Sequence, residues 1–291
     1  MSEIKKIKCN PTLQGMVEVF PDIVFSRAGG EELKMQIISP WWERDKGVIP
    51  AYPAVVFVQG SGWTFPNVWM ELPQLCELAR KGYVVATITH RNAMEGHPYP
   101  ACIQDVKTAI RFLRKHAKDF GIAAGRIGLW GTSSGANLSL LTAMTMGDVR
   151  YMSEEHAEYS DAVDYVAACF PTTDFVEFMK DETADQGIKD VFTALSGGHV
   201  DEDMMVLKEM SPYYLVKKAT KEEIEAYPPM FIAHGDSDEL IPHRQSLKFY
   251  EALEEVGADA TMVTVEGAPH EGSFWSREML DLIFEFIEEN S

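Results

Sequence analysis

Arg126-Ile127-Gly128-Leu129-Trp130-Gly131-Thr132-Ser133-Ser134-Gly135-Ala136-Asn137-Leu138 is the stretch whose reading decides the fold. The apolar run ending at Trp130 reads as a short buried strand, and the Ala/Leu-rich run from Ala136 to Met146 as a packed helix. Between them lies Gly-x-Ser-x-Gly. A strand that turns directly into a helix strains its middle residue, projects that side chain clear of the sheet and requires small neighbours. Gly131 and Gly135 meet that requirement, so Ser133 is expected as an exposed hydroxyl. The helix beginning just beyond it offers unpaired N–H groups and a positive dipole end to an oxyanion.

Upstream, Val17–Phe25 and Leu33–Ile38 are β-rich runs joined through Gly29-Gly30, which predicts an antiparallel hairpin. Ala54–Val58 is wholly apolar, as in a strand buried on both faces of a mostly parallel sheet. Gln59-Gly60-Ser61-Gly62-Trp63 follows at once, where open α/β sheets bind ligands, and its small residues let backbone N–H groups approach a substrate oxygen. A helix over Pro73–Lys81, a strand over Tyr83–Thr89 and an amphipathic helix over Ala101–Phe120 come next.

Downstream, strands are predicted at Ala162–Phe170, Pro229–Ala233 and Ala260–Val265, and helices at Leu247–Val256 and Arg277–Glu289. This alternation specifies an α/β class, a doubly wound and mostly parallel sheet. The long interval between the strands near 170 and 229 predicts a helical cap insertion over about 172–226 of a single domain spanning 1–291, because structureless loops of that length are rare. Its many Met and aromatic residues suit a hydrophobic roof that excludes water. Trp63 and Phe175 are the expected walls of the substrate pocket.

The chain has 291 residues, and 26 basic against 45 acidic side chains give a net charge of −19. Such a balance argues against nucleic acid or an anionic membrane as partner and favours a neutral or cationic small molecule. No run of about 18 apolar residues exists, and Met1–Lys6 lacks the apolar core of a signal peptide, so a cytoplasmic location is expected. Cys9, Cys76, Cys102 and Cys169 are widely spaced and read as reduced thiols. With no His-Glu-x-x-His, no paired Cys-x-x-Cys, and Phe65 where a dinucleotide loop needs Gly, neither metal nor cofactor is implied. Oligomeric state is left open, a homo-oligomer being compatible with all of this.

A serine hydroxyl needs a base, and the base an orienting carboxylate. Of His90, His97, His116, His156, His199, His234, His243 and His270, the last fits best, because Glu266–Gly272 directly follows the final strand. The acid is expected in His234-Gly235-Asp236-Ser237-Asp238, where Asp236 and Asp238 qualify equally on position.

Together, Gly-Thr-Ser-Ser-Gly at 131–135, Gln59–Trp63, His234–Asp238 and Ala268-Pro269-His270 resemble an α/β-hydrolase of the esterase/lipase group. That group includes hormone-sensitive-lipase-like carboxylesterases and bacterial acetyl xylan and feruloyl esterases. Echoes are Tyr99-Pro100-Ala101 leading to Asp105, Arg111–Arg114, and Phe170-Pro171-Thr172-Thr173-Asp174-Phe175. The resemblance implies Ser133 as nucleophile, Asp238 as acid and His270 as base, with an oxyanion hole from the N–H groups of Ser61, Gly62 and Ser134. Two positions depart from that pattern: Gln59-Gly60-Ser61 replaces His-Gly-Gly, and Thr132 stands where an acidic residue is common.

The expected activity is a serine carboxylesterase acting on short acyl esters, among them acetyl or feruloyl groups of plant-derived oligosaccharides. A peptidase or amidase of prolyl-oligopeptidase or formamidase type would share the triad. A non-catalytic binding protein on the same fold is the reading from a different class.

Overall fold

The computed structural model describes residues 3–198, 200 and 204–291. His199 and positions 201–203 of the expected insertion lie outside the described residues.

Eight strands form one sheet: β1 (Val17–Ser26), β2 (Leu33–Pro40), β3 (Tyr52–Val58), β4 (Val84–Ile88), β5 (Ile122–Thr132), β6 (Val166–Cys169), β7 (Met230–Gly235) and β8 (Ala260–Val265). Their order across the sheet is β1-β2-β4-β3-β5-β6-β7-β8. β2 is antiparallel to both β1 and β4, and the remaining pairs are parallel. The Gly-Gly hairpin is present, with Gly29 and Gly30 both at positive φ.

The helices lie on both faces of the sheet, which explains strands without polar alternation. On β3, Ala54, Val56 and Val58 join a core cluster with α2 (Ala101–Lys115), α4 (Ser133–Met144) and α10 (Arg244–Val256). Val55 and Phe57 point the other way, toward α1 (Leu72–Arg80) and α11 (Arg277–Asn290). Each fully buried Val, Ile or Phe in these layers contributes roughly 1.5–3 kcal/mol.

The helix expected over 101–120 ends at Lys115, and α3 (Ala117–Phe120) follows after His116 leaves helical geometry at φ −97° and ψ 19°. His116 packs on Phe112, and the change of direction brings Phe120 against Phe20 of β1. β5 runs two residues further than its apolar run predicts, and α4 starts at Ser133 with no intervening turn.

Between β6 and β7 stand α5 (Phe175–Lys180), α6 (Gln186–Leu195), α7 (Met205–Glu209), α8 (Pro212–Lys218) and α9 (Lys221–Glu225), a helical insertion as expected. It is held down by polar contacts with the elements beneath. Asn137 of α4 donates to the carbonyls of Thr172 and Met210, and the Gln245 side chain of α10 accepts from the N–H groups of Thr173 and Asp174.

Candidate active site

The parallel strands end at one rim, and the loops leaving β3, β5, β7 and β8 deliver the predicted site residues there. Ser133 sits at φ 49°, left-handed for a residue with a Cβ, and this strain aims its hydroxyl off the end of β5. Only glycine fits on either side. A Cβ on Gly131 would lie 2.4 Å from the Gly135 carbonyl oxygen, and one on Gly135 would lie 2.0 Å from that of Val58.

His270 Nε2 is 3.0 Å from Ser133 Oγ, and His270 Nδ1 is 2.7 Å from Asp238 Oδ2. A carboxylate only accepts, so Nδ1 carries the hydrogen and Nε2 is free to accept the serine proton. The ring is steadied on one side by Phe170, whose centroid is 4.6 Å away in an edge-on arrangement. Phe170 is itself fully buried, at φ 44°, against Phe274 and Trp275.

Asp238 is the carboxylate that reaches the imidazole. Asp236 is exposed and turns instead to the Gly267 N–H and the Ser237 hydroxyl. Asp238 is surrounded by donors: Oδ1 accepts from the N–H groups of Leu240 and Ile241, both at 2.9 Å, and Oδ2 from His270 and His234. Burial alone would raise its pKa. The hydrogen bonds from His234 and His270 outweigh burial and hold the carboxyl well below the usual carboxylate range, so it stays ionised at working pH.

His234 is a site residue that sequence reading left without a role. Fully buried, it directs Nε2 at both Asp238 Oδ2 (3.0 Å) and the Ile241 carbonyl (2.8 Å), while Nδ1 meets Ser246 Oγ at 2.7 Å. The carbonyl can only accept, so Nε2 is protonated and donates to the same carboxylate oxygen that holds His270. The available signal was the four-residue step from His234 to Asp238 across one turn.

The loop after β3 lies on the elbow. Gln59, buried where the resembled group has His, donates through Nε2 to both Glu71 oxygens at 2.9 Å and accepts from the Asn67 N–H. Gly60 N–H donates to Thr132 Oγ1 at 2.8 Å, and Ser61 N–H to Ser134 Oγ at 2.9 Å. Gly62, exposed at φ 60°, follows. Trp63 and Phe175, expected as pocket walls, are instead packed into the core. Trp63 is 4% exposed and Phe175 0%, their centroids are 5.4 Å apart, and Phe192 closes the cluster. Burying three large rings beneath the insertion outweighs leaving them as an open wall.

Under the same loop lies fully buried His90, with Nε2 3.5 Å from Ser61 Oγ and Nδ1 donating to the Arg91 carbonyl. Burial pushes its pKa down to about 4 from 6.5, so the native protein keeps it neutral where the unfolded chain takes up a proton. Stability is therefore lost as pH falls from about 6.5 toward 4, by about 2 kcal/mol between pH 7 and pH 5 from this group. Denaturant titrations at the two pH values are expected to show that much extra loss in the native sequence relative to His90→Gln. Equal losses would mean that His90 is already protonated in the folded state.

The eight-stranded sheet with helices on both faces and a serine elbow at its rim defines the class, an α/β-hydrolase fold. Residues 44–253 match the BD-FAE family, and the chain belongs to it. Among curated proteins it is similar to Esterase LipC of Mycobacterium tuberculosis, 28% identical over 81% of this chain and 56% of that protein. The chain spans about half the length of the curated relatives it matches. Two solved structures fit along nearly their whole length. A truncated carbohydrate esterase from gut microbiota superposes with a TM-score of 0.77 at 26% identity, covering 94% of this chain and 96% of that one. Esterase 2 of Thermogutta terrifontis, phosphonylated by sarin, gives 0.76 at 26% identity over 95% of each chain. Among the described residues, no helix is long and apolar enough to cross a membrane.

Proposed function

We propose that this chain is a serine carboxylesterase for short acyl esters, with acetyl esters of plant-derived oligosaccharides as its foremost substrates and feruloyl esters as the larger alternative. The observation that carries the reading is the continuous hydrogen-bonded line from Ser133 Oγ through His270 to Asp238. In acylation His270 Nε2 removes the serine proton as Oγ attacks the ester carbonyl, and the resulting imidazolium is stabilised by Asp238. The N–H groups of Gly62 and Ser134 receive the oxyanion, Ser61 N–H being held on the Ser134 hydroxyl in the free enzyme. Collapse expels the alcohol, which takes the proton from His270. Water, deprotonated by the same nitrogen, then releases the acid and regenerates Ser133.

The packed Trp63–Phe175–Phe192 cluster supports a small acyl group, since it fills space beside the oxyanion loop that a long chain would need. The likeness to a carbohydrate esterase supports a sugar as the alcohol. Four free cysteines support a reducing compartment and the cytoplasmic location expected from the sequence. The test is a p-nitrophenyl ester series together with acetylated and feruloylated oligosaccharides and an anilide control. Acetate is expected to exceed octanoate in kcat/KM by at least about tenfold, a methylene in a fixed pocket being worth roughly 10–200-fold. Preference for octanoate would contradict the acyl assignment, and faster anilide than ester turnover would contradict the esterase reading.

A further inference from the structure

The two residues flanking the nucleophile have side chains that the elbow itself does not require. Thr132 occupies the N-cap position of α4, at φ −124° and ψ 141°, yet its hydroxyl makes no capping bond to the helix. A threonine there ordinarily accepts from an N–H of the first turn. Here Oγ1 is turned across to the neighbouring loop and accepts from Gly60 N–H at 2.8 Å, while Ser134 Oγ accepts from the next N–H along, that of Ser61, at 2.9 Å. Both residues are 1% exposed. The contact is close: a Cβ on Gly60 would stand 2.8 Å from Ser133 Cβ and 2.9 Å from the Thr132 carbonyl.

We infer that the Thr132 and Ser134 hydroxyls are positioning residues that clamp the oxyanion loop to the elbow from either side of Ser133. The inference rests on the esterase reading and extends it to how the hole is built. Diverting the N-cap hydroxyl to the loop leaves the first-turn N–H groups of α4 uncapped and free for an oxyanion. Engaging the N–H groups of Gly60 and Ser61 fixes the peptide that presents Gly62 N–H to the same point. Thr132, which stands in place of an acidic residue, thus takes part through its side chain, whereas Ser61 takes part through a backbone N–H and turns its hydroxyl to the Thr64 carbonyl; the Gln59–Glu71 contact braces the far side of the loop.

The test compares Thr132→Val, Ser134→Ala and Thr132→Ser with the native protein, using p-nitrophenyl acetate kinetics and inhibition by a trifluoromethyl ketone, which forms a tetrahedral adduct carrying an oxyanion. Loss of a hydroxyl is expected to lower kcat about tenfold or more, below the roughly 10²–10³ of losing an oxyanion donor outright, with KM little changed. Trifluoromethyl ketone affinity is expected to fall by the same factor, and Thr132→Ser to recover most of both. A variant with unchanged melting temperature and unchanged kcat overturns the clamp. So does a rise in kcat for Ser134→Ala, which would mean that the hydroxyl competes with the oxyanion for Ser61 N–H. If Thr132→Val unfolds, Ser134→Ala decides on the same two readouts, since a merely structural role would not lower kcat and ketone affinity together. Ser133→Ala is run alongside: retained turnover there contradicts the esterase reading itself, whereas abolished turnover with silent flanking variants contradicts only the clamp.

Discussion

Ser133→Ala is expected to abolish ester hydrolysis, lowering kcat by about 10⁶ while leaving the fold and melting temperature nearly unchanged. The size follows from the chemistry. Ser133 Oγ is the atom that would become covalently acylated, and among the described residues it is the hydroxyl hydrogen-bonded to His270, at 3.0 Å. Residual hydrolysis would come only from the N–H groups beside the substrate, a background of about 10³–10⁴ over water. Stability should change little, because alanine keeps the Cβ and with it the backbone conformation at φ 49°, and loses only the half-buried hydrogen bond to His270. Rates from single-turnover and steady-state assays, with a circular dichroism melt as control, check both halves. Turnover within tenfold of the native rate would move the nucleophile elsewhere.

The second large effect distinguishes two carboxylates two residues apart. Asp238→Asn is expected to lower kcat by about 10⁴, whereas Asp236→Asn stays within about tenfold of native. An amide at 238 offers an N–H where the carboxylate accepted one, which drives His270 toward the tautomer with hydrogen on Nε2, facing Ser133. The same change disturbs the other three donors, from Leu240, Ile241 and His234. A loss of thermal stability in Asp238→Asn is therefore expected as well, and kinetics must be measured below its melting transition. Asp236 has no contact with the imidazole, and its bond to Gly267 N–H shapes only the outer part of the His270 loop. Steady-state kcat on one ester for both variants decides, and the reverse order would reassign the acid.

Local grammar made the elbow, the hairpin, the doubly wound sheet and the helical insertion legible, because each depends on residues near in sequence: small neighbours for Ser133, Gly29-Gly30, unbroken apolar strands. What stayed hidden depends on where one turn's side chains point relative to another element. Asp236 and Asp238 share a loop and a chemistry, and only the bonds of Asp238 to Leu240 and Ile241 turn it inward. His234 looked like the end of a strand until the carboxylate four residues on folded back over it. Thr132 was legible only as a departure from the resembled pattern and Ser134 only as a backbone donor, since the partners of their hydroxyls, Gly60 and Ser61, are more than seventy residues away. Trp63 and Phe175 were expected to face the substrate, but a ring's choice between core and pocket is made by the rings around it, here Phe192.

Every proposed step depends on Ser133 being the activated hydroxyl, and the direct measurement is the site of covalent labelling by a fluorophosphonate. Intact mass followed by peptide mapping is expected to show one adduct per chain, on Ser133, formed by folded protein and lost in His270→Ala. An adduct on another residue, or none on protein that is actively hydrolysing esters, would contradict it.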